Sequence, residues 1–174
     1  MNVGFNRLYY GIAALIVFLV AFFSAQALTD AAANVVFYSS LDPNVRGPAR
    51  SSTDAWELQY AKKEVAASAA LVIVAFPIWW FHWRRWRALA ETATPRLFRL
   101  YIYALMVITL VTLIYRGADA LAKLFQVPLG LVSFDSGFLI WEVIKDAVRR
   151  ALDALIAFAA WAYHARVSQQ TERS

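Results

Sequence analysis

The stretch PIWWFHWRRWR, Pro77 to Arg87, sets four tryptophans, a histidine and three arginines directly after the apolar run AASAALVIVAF, residues 66–76. Basic and aromatic residues interleaved like this could face nucleic acid, hold a cofactor, or mark the level at which a helix leaves a membrane. The rest of the chain decides among these. Of its 174 residues 61% are hydrophobic and 17% charged, whereas a soluble domain has about a quarter of its residues charged and about half apolar. A bilayer accounts for that excess. With no cysteine, disulfides, thiolate metal sites and iron–sulfur clusters are excluded.

Four apolar segments stand out: Leu8–Leu28, Val65–Trp83, Leu100–Tyr115 and a fourth centred on Ala151–Tyr163. Roughly 20 residues of helix cross the hydrocarbon layer. The first two segments meet this alone, and the third does once RLFR before it is included. None shows the alternation of period two that a membrane barrel strand needs, so helices are expected.

The segments repeat. RLYYGIAALIVF from Arg7 resembles RLYIYALMVITL from Arg99, and AFPIWWFHWR, 75–84, aligns without gaps on AFAAWAYHAR, 157–166. The only two histidines, His82 and His164, fall in register. Asp30 and Asp119 sit at matching helix ends if a three-residue gap is allowed. This pattern predicts a tandem duplication of a helical hairpin. The first segment ends in AQAL, as a cleaved leader can, but its likeness to the third segment favours a retained helix.

Charge sets the expected orientation. The connection 84–99 carries five arginines against Glu91, while 117–137 carries Lys123 against two aspartates. Cytoplasmic loops are the basic ones, so both termini are expected in the cytoplasm of a bacterial inner-membrane, multi-pass protein. PIWWFHWRRWR then lies where the second helix exits. Trp79, Trp80, Trp83, Arg84, Arg85, Trp86, Trp161 and Arg166 are expected as membrane-interface anchors, and nucleic acid is not expected as a partner. The expected division is a first hairpin, 1–86, with spans near 7–37 and 55–86; a basic linker, 87–96; a second hairpin, 97–168, with spans near 97–125 and 138–167; and a tail, 169–174.

The paired signatures RLYY/RLYIY and PIWWFHWR/WAYHAR resemble an uncharacterised bacterial integral-membrane family, a domain of unknown function built from four helices in two related halves. The resemblance runs from about Arg7 to Arg166. The second half departs from the first where Ala159, Ala162 and Ala165 replace Pro77, Trp80 and Trp83. The resemblance implies a fold and no activity.

Two groups of residues remain. The fourth helix carries Glu142, Lys145, Asp146, Arg149, Arg150 and Asp153, which sum to zero charge. The spacings Asp146/Arg150 and Arg149/Asp153 suit pairing along one helix, so Asp146, Arg149, Arg150 and Asp153 are expected to form an intramembrane ionic stripe or a partner contact. His82 and His164 are candidates either for polar anchors or, alternatively, for ligands to a haem b or a pigment. The turns read as caps, Asp54 with Glu57 before the second helix and Asp135 or Ser136 before the fourth. No nucleophile–base pair, phosphate-binding loop or metal cluster is evident. The chain is therefore expected to be a non-enzymatic accessory or scaffold subunit, bound to the bilayer and to other membrane subunits or its own copies, without a cofactor. An electron-transfer protein and a small oligomeric transporter or channel are the alternatives.

Overall fold

The computed structural model describes residues 3–40, 51–93, 95–131 and 137–173. They form four helices: α1, Val3–Ser40; α2, Ser51–Ala93; α3, Pro95–Gln126; and α4, Gly137–Arg173. Each outruns the span read from sequence. α2, with 43 residues, is about 64 Å long at 1.5 Å per residue. The basic stretch expected as a linker is helical to Ala93, and α3 restarts at Pro95, where proline's missing N–H and fixed φ suit a first helical position. The start of α2 at Ser51 puts Asp54 inside the first turn rather than before it. Asp135 and Ser136 lie outside the described residues.

α1 packs closely along α2, and α3 along α4; a lighter contact between α1 and α4 and a lighter one still between α2 and α3 close the bundle. α3 ends in a paired cap. The N–H of Leu131 bonds the Gln126 carbonyl at 3.0 Å and that of Gly130 bonds the Val127 carbonyl at 3.1 Å. Gly130 has φ +69°, the left-handed conformation that this reversal demands and that glycine adopts without a Cβ clash.

Leu8–Ser39, Ala55–Leu89 and Arg96–Gln126 are long and apolar enough to cross a membrane. α4 is long enough but is interrupted by its charges, and among the described residues it does not join the other three on composition. Pro77 sits inside α2 and leaves the Ile73 carbonyl without its intrahelical N–H.

The core is aromatic and lies toward the α2–α3 connection. Phe18, Phe22, Trp79, Trp83, Trp86 and Phe98 form its centre. Trp83, 1% exposed, stacks against Phe98 at 5.9 Å and Tyr101 at 5.8 Å between ring centroids. Its indole N–H donates to the Tyr163 hydroxyl at 2.7 Å, tying α2 to α4 across the bundle. Trp86 meets Tyr101 edge-on at 4.3 Å. Gly11 makes room for it: a Cβ there would lie 3.0 Å from the Trp86 indole nitrogen.

Candidate functional site

The tryptophans expected as interface anchors separate into two groups. Trp79, Trp83 and Trp86 are buried in the bundle, a correction to the anchor expectation. The reason is spacing: steps of four and three residues put all three on one face of α2, the face turned to the core. Trp80 and Arg84, four apart, share the outer face, where the Arg84 guanidinium lies 6.0 Å from the Trp80 ring centre. Arg85 similarly lies 5.7 Å from that of Phe81. Arg166 is exposed and Trp161 half-buried.

The charged residues of α4 meet partners from three helices. Asp153 is wholly buried. Its Oδ1 accepts from the Thr29 hydroxyl of α1 at 2.6 Å, and its Oδ2 faces Arg116 of α3 at 3.4 Å. Arg149 lies 3.3 Å from Asp30 of α1 and 3.6 Å from Asp146 of its own helix. Arg150 pairs with Asp119 of α3 at 2.7 Å, and Lys123 of α3 reaches Asp146 at 3.7 Å. The two pairings expected along α4, Asp146/Arg150 and Arg149/Asp153, give way to ion pairs with α1 and α3 and to the Arg149–Asp146 pair within α4. Two consecutive arginines on a helix point about 100° apart, so Arg149 turns to α1 and Arg150 to α3. Each takes one of the two aspartates, Asp30 and Asp119, that the repeat had matched. Thr29, Asp30, Arg116, Asp119 and Lys123 are the members of this network that the α4 sequence could not supply.

Lys145 stands apart from these pairs. Its Nζ lies 4.3 Å from the centre of the Phe37 ring, a cation–π contact, at the mouth of an apolar groove of about 420 Å³ between α1 and α4.

About 16 Å along α4 from Asp153, eleven residues at 1.5 Å each, lies His164. It shares one feature with His82. Each ring holds its Nδ1 near the carbonyl four residues earlier, His82 to Ile78 at 2.8 Å and His164 to Ala160 at 2.7 Å. A carbonyl only accepts, so both imidazoles carry their proton on Nδ1, and in the neutral ring Nε2 keeps the lone pair. Their surroundings differ. His82 is half-exposed among Tyr9, Tyr10 and Phe81. His164 is wholly buried, edge-on to Phe18 at 5.2 Å and to Trp83 at 5.9 Å. Among the described residues the two rings share no aromatic neighbour. Placing His164 in the core corrects its expected role as an interface anchor: Ala162 and Ala165 stand where the first half has tryptophan, so α4 can seat this histidine deep against α1 and α2.

His164 borders a cleft of about 330 Å³ between α1, α2 and α4. Phe18 and Phe22 come from α1, Phe76, Trp79 and Trp80 from α2, and Tyr163 from α4. Phe76 and Trp80 at the lip are exposed, so the cleft opens on the outer surface of the bundle. Two polar atoms of its lining residues are buried without a hydrogen-bond partner among the described residues, His164 Nε2 and Trp79 Nε1. Among the described residues, no three His, Asp or Glu side chains converge as a metal site would require.

A four-helix bundle with three helices long and apolar enough to cross a membrane, a buried interhelical charge network and an aromatic cleft is the class the described residues define. Residues 7–163 match the family described as a domain of unknown function, DUF5671, and the chain belongs to that family. No curated protein and no solved structure matches the chain.

Proposed function

We propose that this chain is a non-enzymatic protein of the bacterial inner membrane, an accessory or scaffold subunit of a larger membrane assembly. All four helices span, both termini are cytoplasmic, and the two hairpins descend from one duplicated unit. The observation that carries this reading is the closed charge network. Arg116, Arg149, Arg150 and Lys123 each have an acidic partner in the same chain, so α4 can lie in the bilayer with its charges turned to α1 and α3. Charges at that depth are tolerated when paired inside a bundle. A conducting path needs groups free to change partners. Here Asp153 is fixed from two sides, and Thr109 and Thr112 spend their hydroxyls on carbonyls of their own helix, at 2.8 Å each. Ile73 and Val74 of α2 and Val111 and Ile114 of α3 leave apolar faces uncovered for lipid or for neighbouring subunits. Shared iron ligation by His82 and His164 draws no support from two rings without a common neighbour.

Two experiments test this. Cysteines in place of Trp56 and Arg85 sit 29 residues apart on α2, about 44 Å, and should label from opposite faces of the membrane; labelling from one face overturns the topology. Purification from native membranes in mild detergent should bring a second membrane protein in fixed ratio. A lone chain that conducts ions in liposomes would replace the scaffold reading with the channel.

A further inference from the structure

The groove between α1 and α4 is a product of side-chain size. On α1, Leu28, Ala32 and Val36 follow one another at steps of four, and so do Thr29, Ala33 and Phe37, which keeps each set on one face of the helix. The alanines at 32 and 33 leave the space, and Val36, Trp141, Val148 and Leu152 border it with exposed apolar surface. Leu28 to Phe37 covers about 14 Å of α1, and Trp141 to Leu152 about 16 Å of α4. A volume of about 420 Å³ over about 15 Å of helix leaves a cross-section of about 28 Å². That admits one extended hydrocarbon chain. It is too narrow to take in a helix, which is about 10–12 Å across with its side chains.

Lys145 is the charged residue of this lining. Its Nζ rests 4.3 Å from the centre of the Phe37 ring and 5.7 Å from that of Tyr38. Arg149 and Arg150 on the same helix have carboxylate partners, whereas among the described residues Lys145 has none at salt-bridge distance. The side chain is half-buried, and its ammonium is not sealed inside the protein. On the four-span topology proposed above, which this inference assumes, Lys145 stands 21 residues from Arg166, about 32 Å of helix against about 30 Å of hydrocarbon. With Arg166 at the cytoplasmic boundary, Lys145 reaches the outer one, where a lysine lays its stem on apolar surface and its ammonium among headgroups. α1 and α4 run antiparallel here, Phe37 meeting Lys145 and Thr29 meeting Asp153, so the groove leads from that level toward the midplane. Its length is about half the hydrocarbon thickness, the share of a single leaflet. We propose that the groove holds one acyl chain of an outer-leaflet phospholipid, with the phosphate on Lys145. The phosphate supplies the anion that this lysine lacks, the chain fills the apolar length, and the second chain lies with the bulk lipid.

The test uses the full chain in mild detergent and two lipids with the same chains, dioleoylphosphatidylglycerol and dioleoylglycerol, which lacks the phosphate. Offered both in equal amounts, the protein should retain one phosphatidylglycerol per chain in native mass spectrometry, with a preference of about tenfold over the diacylglycerol. Lys145→Gln should bring the two lipids to parity, while Lys62→Gln, at an exposed lysine of α2, should leave the preference unchanged. Ala33→Trp should fill the groove and reduce retention of both. A second readout needs no variant to fold. Phosphatidylglycerol carrying a diazirine in mid-chain, in liposomes with the unaltered protein, should cross-link within residues 28–37 and 141–152 rather than around Ile73 of α2 and Val111 of α3, which are equally apolar and exposed. Equal retention of the two lipids, a preference that survives Lys145→Gln or is lost as readily in Lys62→Gln, or cross-links spread evenly over those faces would overturn the proposal. So would a photo-reactive benzoylphenylalanine in place of Val36 that links to a second protein chain instead of lipid. The cysteine labelling at positions 56 and 85 reads the topology separately: opposite-face labelling without a lipid preference removes this site and leaves the topology standing.

Discussion

Replacing Asp153 with leucine tests the charge network at its most buried point. The carboxylate is wholly buried and meets two partners, Thr29 Oγ1 at 2.6 Å and Arg116 Nε at 3.4 Å. These partners would suffer unequally. The Thr29 hydroxyl also lies 2.7 Å from the Gln26 carbonyl; one hydroxyl has one proton to give, and after the change it keeps that acceptor. Among the described residues Arg116 has no second acid at salt-bridge distance and would be stranded. Breaking a buried ion pair from one side costs about 3–5 kcal/mol. Arg116 is 21% exposed and can draw some solvation, so a loss of about 3 kcal/mol is expected. The double change Asp153→Leu with Arg116→Met removes both charges and should recover most of it, leaving a loss of about 1 kcal/mol. Unfolding in mixed micelles, followed by tryptophan fluorescence with circular dichroism as a check on helix content, measures both. If the double variant is as unstable as the single one, the stranded charge is not the cause. The reasoning about how α4 is held would then fail.

Four further outcomes are expected. Tyr163→Phe should cost about 1 kcal/mol by removing the acceptor of the Trp83 N–H, whereas Trp83→Ala should cost about 3–5 kcal/mol; a double-mutant cycle with Tyr163→Phe and Trp83→Phe should show coupling. Gly11→Ala should destabilise despite alanine's better helix propensity, because Trp86 is held by Phe98 and Tyr101 and cannot easily yield to a Cβ 3.0 Å away; a higher midpoint in a thermal melt would contradict this. Swapping Asp119 and Arg150 for each other should be far milder than Arg150→Ala, since the 2.7 Å pair can form in either direction, and the micelle assay distinguishes the two. Arg84→Ala, on the exposed face beside Trp80, should change the melting midpoint by less than 1 °C, corresponding to a small fraction of a kcal/mol.

The helices were legible in the sequence because apolar length is a strong signal, and their number and order follow from it. Their ends were not. The basic stretch after Trp86 contains no residue that stops a helix before Pro95, yet its charge read as a linker. The tryptophans were misplaced for a different reason. Composition places Trp79, Trp83 and Trp86 at an interface, but their spacing places them on one face, and helical spacing is the signal that identifies the core side of α2. The stripe on α4 shows what a single helix cannot tell. Asp146, Arg149, Arg150 and Asp153 have spacings that permit pairing along the helix, and only the positions of Asp30, Arg116 and Asp119 reveal that ion pairs between helices replace the two pairs four residues apart, while Arg149 still meets Asp146 within α4. The likeness of His82 and His164 was visible as a local motif, and both do bond the carbonyl four residues back. That one ring lies in the core and the other near the rim depends on the alanines around His164, which allow a close approach.

The charge network also bears on how the protein is made. Synthesis delivers α1, α2 and α3 before α4, and the first three are apolar enough to leave a translocation channel on their own account. α4 is not, because Arg149, Arg150 and Asp153 would enter lipid unpaired. Their partners, Thr29, Asp30, Arg116 and Asp119, all lie upstream and are in place by the time α4 emerges. On the proposed four-span topology, insertion of the last helix is conditional on the earlier ones, and a chain with α1 deleted or Asp30 and Asp119 neutralised would leave α4 outside the bilayer, open to proteases. In this way the fold inspects its own assembly: a chain whose first helix has gone astray cannot bury its last.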